Sequence, residues 1–179
     1  MQASGRAPLT QARPGRARIW AGVLALGVVG LDHLTKLAVV RALAEGESRR
    51  VIDDVLRLSH IRNSGAAFGS LKGLGGILVL AAMVGVVAFA LIVVRNPEPV
   101  TAIGAGLVAG GAAGNLLDRM FRPGGVVDFV DFRFWPAFNV ADSAITIGAL
   151  LLLLTGFKMR STPAGDRAET DGDAADGRA

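Results

Sequence analysis

Three carboxylates lie close together in the stretch VVDFVDFRFWPAFNVADSAI, residues 126–145: Asp128, Asp131 and Asp142. Val, Phe, Trp and Ile surround them, and long apolar runs flank the stretch. Two carboxylates held in one poorly solvated pocket cannot both ionise easily, so one keeps its proton while the other is free to act as a base. That division suits an aspartic hydrolase, which must activate water and protonate a leaving group. Asp128 and Asp142 are the candidate pair, because they approach one boundary from the two sides of a short linker. Asp131 has the same chemistry at a position one turn or one strand repeat away and serves as the natural decoy. Asn139 and Asp142 also admit a purely structural reading, with Asn139 as a helix N-cap and Asp142 as the acid three positions on, a variant of the capping box.

Two further polar groupings interrupt apolar sequence. Asp32 and Lys36 are spaced to share one helical face and to pair, either as a structural ion pair or as a substrate contact. His33 faces elsewhere. In GNLLDR, Asn115, Asp118 and Arg119 gather an amide, a carboxylate and a guanidinium on one face, more than a membrane-edge anchor requires. Other chemistries find no support. The chain has no Cys, which removes disulfides, thiolate metal sites and a thiol nucleophile. It has no HExxH and no GxSxG, and His60 with Ser64 lacks an orienting acid. The glycines of GAGLVAGGAAGN lack the Lys-Ser/Thr of a phosphate loop and fit close helix packing.

The elements that must hold these residues are membrane helices. Half the residues (51%) are apolar, the mean hydropathy is +0.47, and charge is confined to short clusters, the pattern of an all-α polytopic membrane protein. Four apolar stretches are read as transmembrane helices: 19–40, 73–94, 99–117 and 138–157. A span of this length needs helical hydrogen bonding, because lipid offers the backbone no other partner. Residues 1–18 read as a disordered basic leader, 19–160 as the four-helix domain, and 161–179 as a disordered acidic tail. The formal charge of +4 does not mark a nucleic-acid binder, since the basic residues collect at span ends. Arg6, Arg13, Arg16 and Arg18, then Arg95, then Lys158 and Arg160 place both termini in the cytoplasm and the two longer connections outside. Alternation at Leu56, Leu58 and His60 suggests a strand in the first of these. Phe129, Phe132, Phe134 and Trp135 read as interface aromatics.

DHLTK at 32–36, NSGAAF at 63–68, GNLLDR at 114–119, VVDF at 126–129 and FNVADSA at 138–144 occur in this order. Over about residues 19–158 the chain therefore resembles the lipoprotein signal peptidases, or signal peptidase II. The resemblance implies four transmembrane helices with a small extracytoplasmic β-sheet and a short helix, in the bacterial cytoplasmic membrane with the active site at the outer leaflet. It implies an aspartyl endopeptidase, without metal or cofactor and acting as a monomer. Such an enzyme removes signal peptides from diacylglyceryl-modified prolipoproteins just before the lipidated Cys, in contact with membrane lipid. Asp128 and Asp142 match the family's catalytic pair. Asp32, Lys36, Asn63, Asn115, Asp118, Arg119 and Asn139 match positions that bind substrate and shape the site. The segment between the catalytic motifs is short here. The rival from another class is a small proton-coupled transporter or channel subunit, in which acids would be distributed through the depth of the bilayer.

The topology is testable because the native chain lacks Cys. In intact cells an impermeant thiol reagent is expected to label Glu45→Cys, in the first outer connection, and to spare Pro97→Cys. The reverse pattern would invert the orientation.

Overall fold

The computed structural model describes residues 14–64, 83–85, 87–89, 91–92, 95 and 98–160. Within them run α1 (Pro14–Ala42), β1 (Ser48–Ile52), β2 (Leu56–Asn63), α2 (Pro99–Phe121), β3 (Val126–Phe132) and α3 (Val140–Arg160). The span expected at 73–94 lies largely outside the described residues; those described between 83 and 95 are helical. The expected acidic tail, and the leader up to residue 13, also lie outside them. Two boundaries need correction. The first helix begins at Pro14, so the last five residues assigned to the basic leader are helical. The helix expected to stop at Leu117 continues to Phe121, which puts Asp118 and Arg119 on its last turns. No short extracytoplasmic helix occurs among the described residues.

The helices are built inside out relative to those of a water-soluble protein. Leu26, Leu34, Leu150 and Leu153 are exposed along their outer faces, while Ala21, Ala105 and Ala141 are buried together with Asp32 and Lys36. Small residues inside and large aliphatic ones outside suit helices whose surroundings are as apolar as leucine, where close backbone approach drives association. Gly15–Ala42 and Pro99–Phe121 are each long and apolar enough to cross a membrane, and Val140–Thr155 is a shorter apolar stretch.

Helix α2 is the centre of this packing, and its glycines set the distances. A Cβ on Gly106 would lie 2.7 Å from the Ala21 carbonyl oxygen of α1, and one on Gly110 would lie 2.7 Å from that of Ala25. On another face, a Cβ on Gly104 would meet Gly148 O at 3.1 Å and the Leu152 side chain of α3 at 3.0 Å. Pro99 occupies the start of α2, where its missing N–H costs no helical hydrogen bond. Beyond its end, Gly124 and Gly125 both adopt φ of 87°. The second is also crowded, with Asn63 O occupying the space a Cβ would need. This turn delivers β3 directly alongside the end of β2.

The sheet is antiparallel in the order β1-β2-β3. The strand read from Leu56, Leu58 and His60 is present as β2. A bulge between Leu58 and Ile61 shifts the register against β3, and Ser59 and His60 are both buried. Bulges of this kind place two residues of one strand opposite one of the next. Val39 and Leu43 near the end of α1 pack against Val127 and Phe129 of β3, fastening the sheet to the helices.

If α2 governs helix spacing, Gly110→Ala is expected to lower stability by about 1–3 kcal/mol, the usual cost of overpacking. Gly27→Ala, which would enter open space, is the control. Thermal unfolding followed by circular dichroism in detergent distinguishes them, and equal melting temperatures would refute the spacing role.

Candidate active site

Asp128 stands on β3 and is buried, with only 3% of its surface exposed. Successive strand residues point to opposite faces, so Asp131 lies on the other side of β3. There its Oδ2 accepts a hydrogen bond from Ser59 Oγ at 2.8 Å. Asp128 has two amide donors of its own. Asn63 Nδ2, at the end of β2, donates to Oδ2 at 2.9 Å, and Asn139 Nδ2 donates to Oδ1 at 2.7 Å.

Asn139 also begins α3. Its Oδ1 accepts from the Asp142 backbone N–H at 2.9 Å, and Asp142 Oδ2 accepts from the Asn139 N–H at 3.3 Å. This reciprocal pair satisfies donors that a helix start leaves without intrahelical partners. The structural reading of Asn139 and Asp142 is therefore correct, and it coexists with another arrangement. The capping asparagine is hydrogen-bonded to both Asp128 and Asp142, so one residue joins the strand acid to the helix acid. Asp142 Oδ1 accepts a further bond from Asn115 Nδ2 of α2 at 2.8 Å.

Beneath these groups lies a buried ion cluster. Lys36 is 0% exposed, and its ammonium meets Asp32 Oδ2 at 2.7 Å, Asp118 Oδ2 at 2.8 Å and Asn115 Oδ1 at 3.0 Å. A lysine ammonium has three protons, and these contacts supply three acceptors. The expected Asp32–Lys36 pair is thus one part of a larger set. Asp32 Oδ1 also accepts the Ala141 N–H at 2.9 Å, tying α1 to the first turn of α3. Asp118 Oδ2 accepts the Val127 N–H at 3.3 Å, adjacent to Asp128. Arg122 completes the charge balance, its Nε lying 2.9 Å from Asp118 Oδ1. Sequence reasoning missed Arg122, although its four-residue separation from Asp118 was a usable signal.

Arg119 stands apart from the carboxylates. Its Nη1 donates to the Asn115 carbonyl oxygen at 3.2 Å. His33 is exposed, as expected. Among the described residues, no three His, Cys, Asp or Glu side chains gather as a metal-binding set.

Burial holds the Asp128 carboxyl above its ordinary pKa of 3.8; the Asn63 hydrogen bond opposes this, and the nearby charge of Asp142 reinforces it. A cavity of about 310 Å³ opens beside Asp128, lined by Ile61, Arg62, Asn63, Ser64, Pro136 and Ala137. Asp128 thus combines burial from bulk water with access to a space able to admit a small part of another molecule.

The family model described as signal peptidase (SPase) II matches residues 24–158. The chain is 44% identical over 135 residues to a lipoprotein signal peptidase of Halothermothrix orenii, covering 74% of this chain and 91% of that one. It is 43% identical over 157 residues to one from Rhodococcus jostii, covering 84% and 78%. Two solved bacterial membrane enzymes are similar in fold. One has a TM-score of 0.74 at 29% identity, over 84% of this chain and 94% of its own. The other has a TM-score of 0.72 at 30% identity, over 78% and 93%. A membrane enzyme is the class that fold and site together define. Within that class, the chain belongs to the signal peptidase II family, and its role is that of a membrane peptidase acting on signal peptides.

Removing the central cation leaves buried carboxylates without their partner, which typically costs about 3–5 kcal/mol. Lys36→Met is therefore expected to be strongly destabilised. Adding Asp32→Asn is expected to restore part of the loss, with Asp118 still served by Arg122. Melting temperatures of the single and double variants provide the check; a double no better than the single would remove Asp32 as a true partner.

Proposed function

We propose that the chain is an aspartic endopeptidase that cleaves lipid-modified prolipoproteins just before the lipidated Cys, with Asp128 and Asp142 as its catalytic pair. The observation that carries this reading is the position of Asn139, which donates to both carboxylates and so holds two acids from different elements at one place. Burial and the neighbouring negative charge favour Asp128 as the acid that keeps the proton at rest. The ionised partner takes a proton from water, whose oxygen bonds to the scissile carbonyl carbon. The protonated acid hydrogen-bonds the carbonyl oxygen and delivers its proton as the C–N bond breaks to release the amine.

The remaining residues then divide by position. Asn63 lines the cavity beside Asp128, where a bound peptide would enter; Arg119 is outside that lining, and only the family motif supports it as a substrate contact. Asn115 and Asn139 orient the acids. Asp32 and Lys36, almost wholly buried, shape the site from beneath, and Asp118 does so through its bonds to Lys36, Arg122 and the Val127 N–H. The enzyme lies in the bacterial cytoplasmic membrane with both termini inside and the dyad at the outer leaflet. The scissile bond is held there by the lipid and the signal helix of the substrate. It works as a monomer, without cofactor or metal.

Purified protein incubated with a lipidated prolipoprotein and with its unlipidated form is expected to cleave only the former. Asp128→Asn and Asp142→Asn are each expected to abolish cleavage while remaining folded, and Asp131→Asn to be far milder. Substantial turnover by either folded dyad variant would overturn the mechanism.

The pH dependence has a definite sign. A carboxyl whose folded pKa is raised stabilises the fold below its unfolded value, near 3.8, and that contribution is lost as pH rises through the higher folded value. The native melting temperature is therefore expected to carry a downward component in the window above pH 3.8 that Asp128→Asn lacks. Parallel curves for the two proteins would contradict this assignment.

A further inference from the structure

At the far end of the sheet, two loops form one exposed apolar tip. The end of β1 and the β1–β2 turn contribute Val51, Ile52 and Val55, and the turn after β3 contributes Phe134 and Trp135. All five are exposed, Phe134 at 77% and Trp135 at 64%. The other two aromatics of the stretch behave differently: Phe129 is buried in the core, and Phe132 is half-buried against the Phe134 and Phe138 rings.

The loops are linked. Arg133 Nη1 meets Asp54 Oδ1 at 2.7 Å, and the Arg133 N–H donates to Val55 O at 3.4 Å. Asp54 occupies the left-handed region, with φ of 53°, a conformation that Asp tolerates in tight turns. The Trp135 N–H donates to Phe132 O at 3.0 Å, and the Phe138 N–H donates to Val130 O at 3.0 Å. This folds the turn back toward α3, so Phe134 and Trp135 are presented on a braced turn.

We propose that this two-loop tip is a membrane-surface anchor that inserts into the interfacial layer of the outer leaflet. The occupant is lipid, for two reasons. Trp135 precedes the first residue of α3 by five positions, a reach of at most about 18 Å, so the tip stays near the level at which α3 leaves the bilayer. Its chemistry is also that of an interface: two exposed aromatics and three aliphatic side chains beside the paired Arg133–Asp54 couple and the exposed Asp53, with large rings suited to the headgroup boundary and charges able to stay among the headgroups. Pro136 and Ala137, which follow Trp135, line the cavity beside Asp128. The anchor therefore sets the height of that cavity's rim relative to the membrane.

Trp20 and Trp135 are the two tryptophans of the chain, so Trp20→Phe makes Trp135 the sole reporter. In phosphatidylcholine–phosphatidylglycerol vesicles, shallow-brominated lipids are expected to quench Trp135 more strongly than lipids brominated at the acyl terminus. Aqueous acrylamide is expected to quench it weakly. Adding Ile52→Asp with Val55→Asp, both at exposed positions, is expected to diminish the bromine quenching and restore acrylamide access, because the two loops share one footprint. Full acrylamide access without bromine quenching places the tip in water and overturns the proposal. Protection from both quenchers places it against protein and overturns it equally. Unchanged quenching in the hairpin variant removes the β1–β2 turn from the anchor. No turnover is measured, so the outcome is independent of the proteolytic reading.

Discussion

A buried ammonium must find acceptors for all its protons, and the rest of the site is arranged around how Lys36 does so. Its three partners come from two helices: Asp32 on α1, and Asp118 and Asn115 on α2. Each then makes a second bond outward. Asp32 takes an N–H at the start of α3, Asp118 takes an N–H of β3, and Asn115 donates to Asp142. One desolvated cation thus fixes the relative positions of the elements that carry Asp128 and Asp142. A salt bridge of this kind is weak evidence for stability as such, since desolvation offsets much of the attraction. Its contribution here is geometric. By occupying Asn115 Oδ1, Lys36 leaves the amide nitrogen to face Asp142.

That geometry is compatible with membrane packing only because the helices approach closely. Gly114 of α2 lies against Asp32, where a Cβ would come within 2.8 Å of Oδ2. With a larger residue there, Asp32 could not reach Ala141 and Lys36 together. Small residues and buried polar groups are thus two parts of one solution: the first permits backbone contact, and the second specifies which contacts form.

Asp142 shows how a structural role and a site role can share a side chain. A capping box requires an acid near a helix start, where the exposed N–H groups and the helix dipole both favour negative charge. The same location brings that acid to the end of the strand carrying Asp128. Asp131 has the same side chain without this setting, because strand alternation turns it to the opposite face, toward Ser59. Chemical type is therefore insufficient to define the pair; element geometry separates the two strand acids.

The sequence by itself determined whatever depends on near neighbours. Apolar runs located the helices, since lipid permits no other open-chain backbone structure. Four-residue spacing gave Asp32–Lys36, three-residue spacing gave the Asn139–Asp142 cap, and alternation gave β2. These signals are local because helix and strand periods repeat within a few residues. Only the tertiary structure decided that Lys36 also holds Asp118 and Asn115, that Asn63 reaches Asp128 across 65 positions of sequence, and that Asp32 caps a helix 109 positions away. No periodicity encodes such contacts. They follow from the register of the sheet, including the bulge in β2, and from helix separations set by individual glycines, quantities that exist only once the elements are packed.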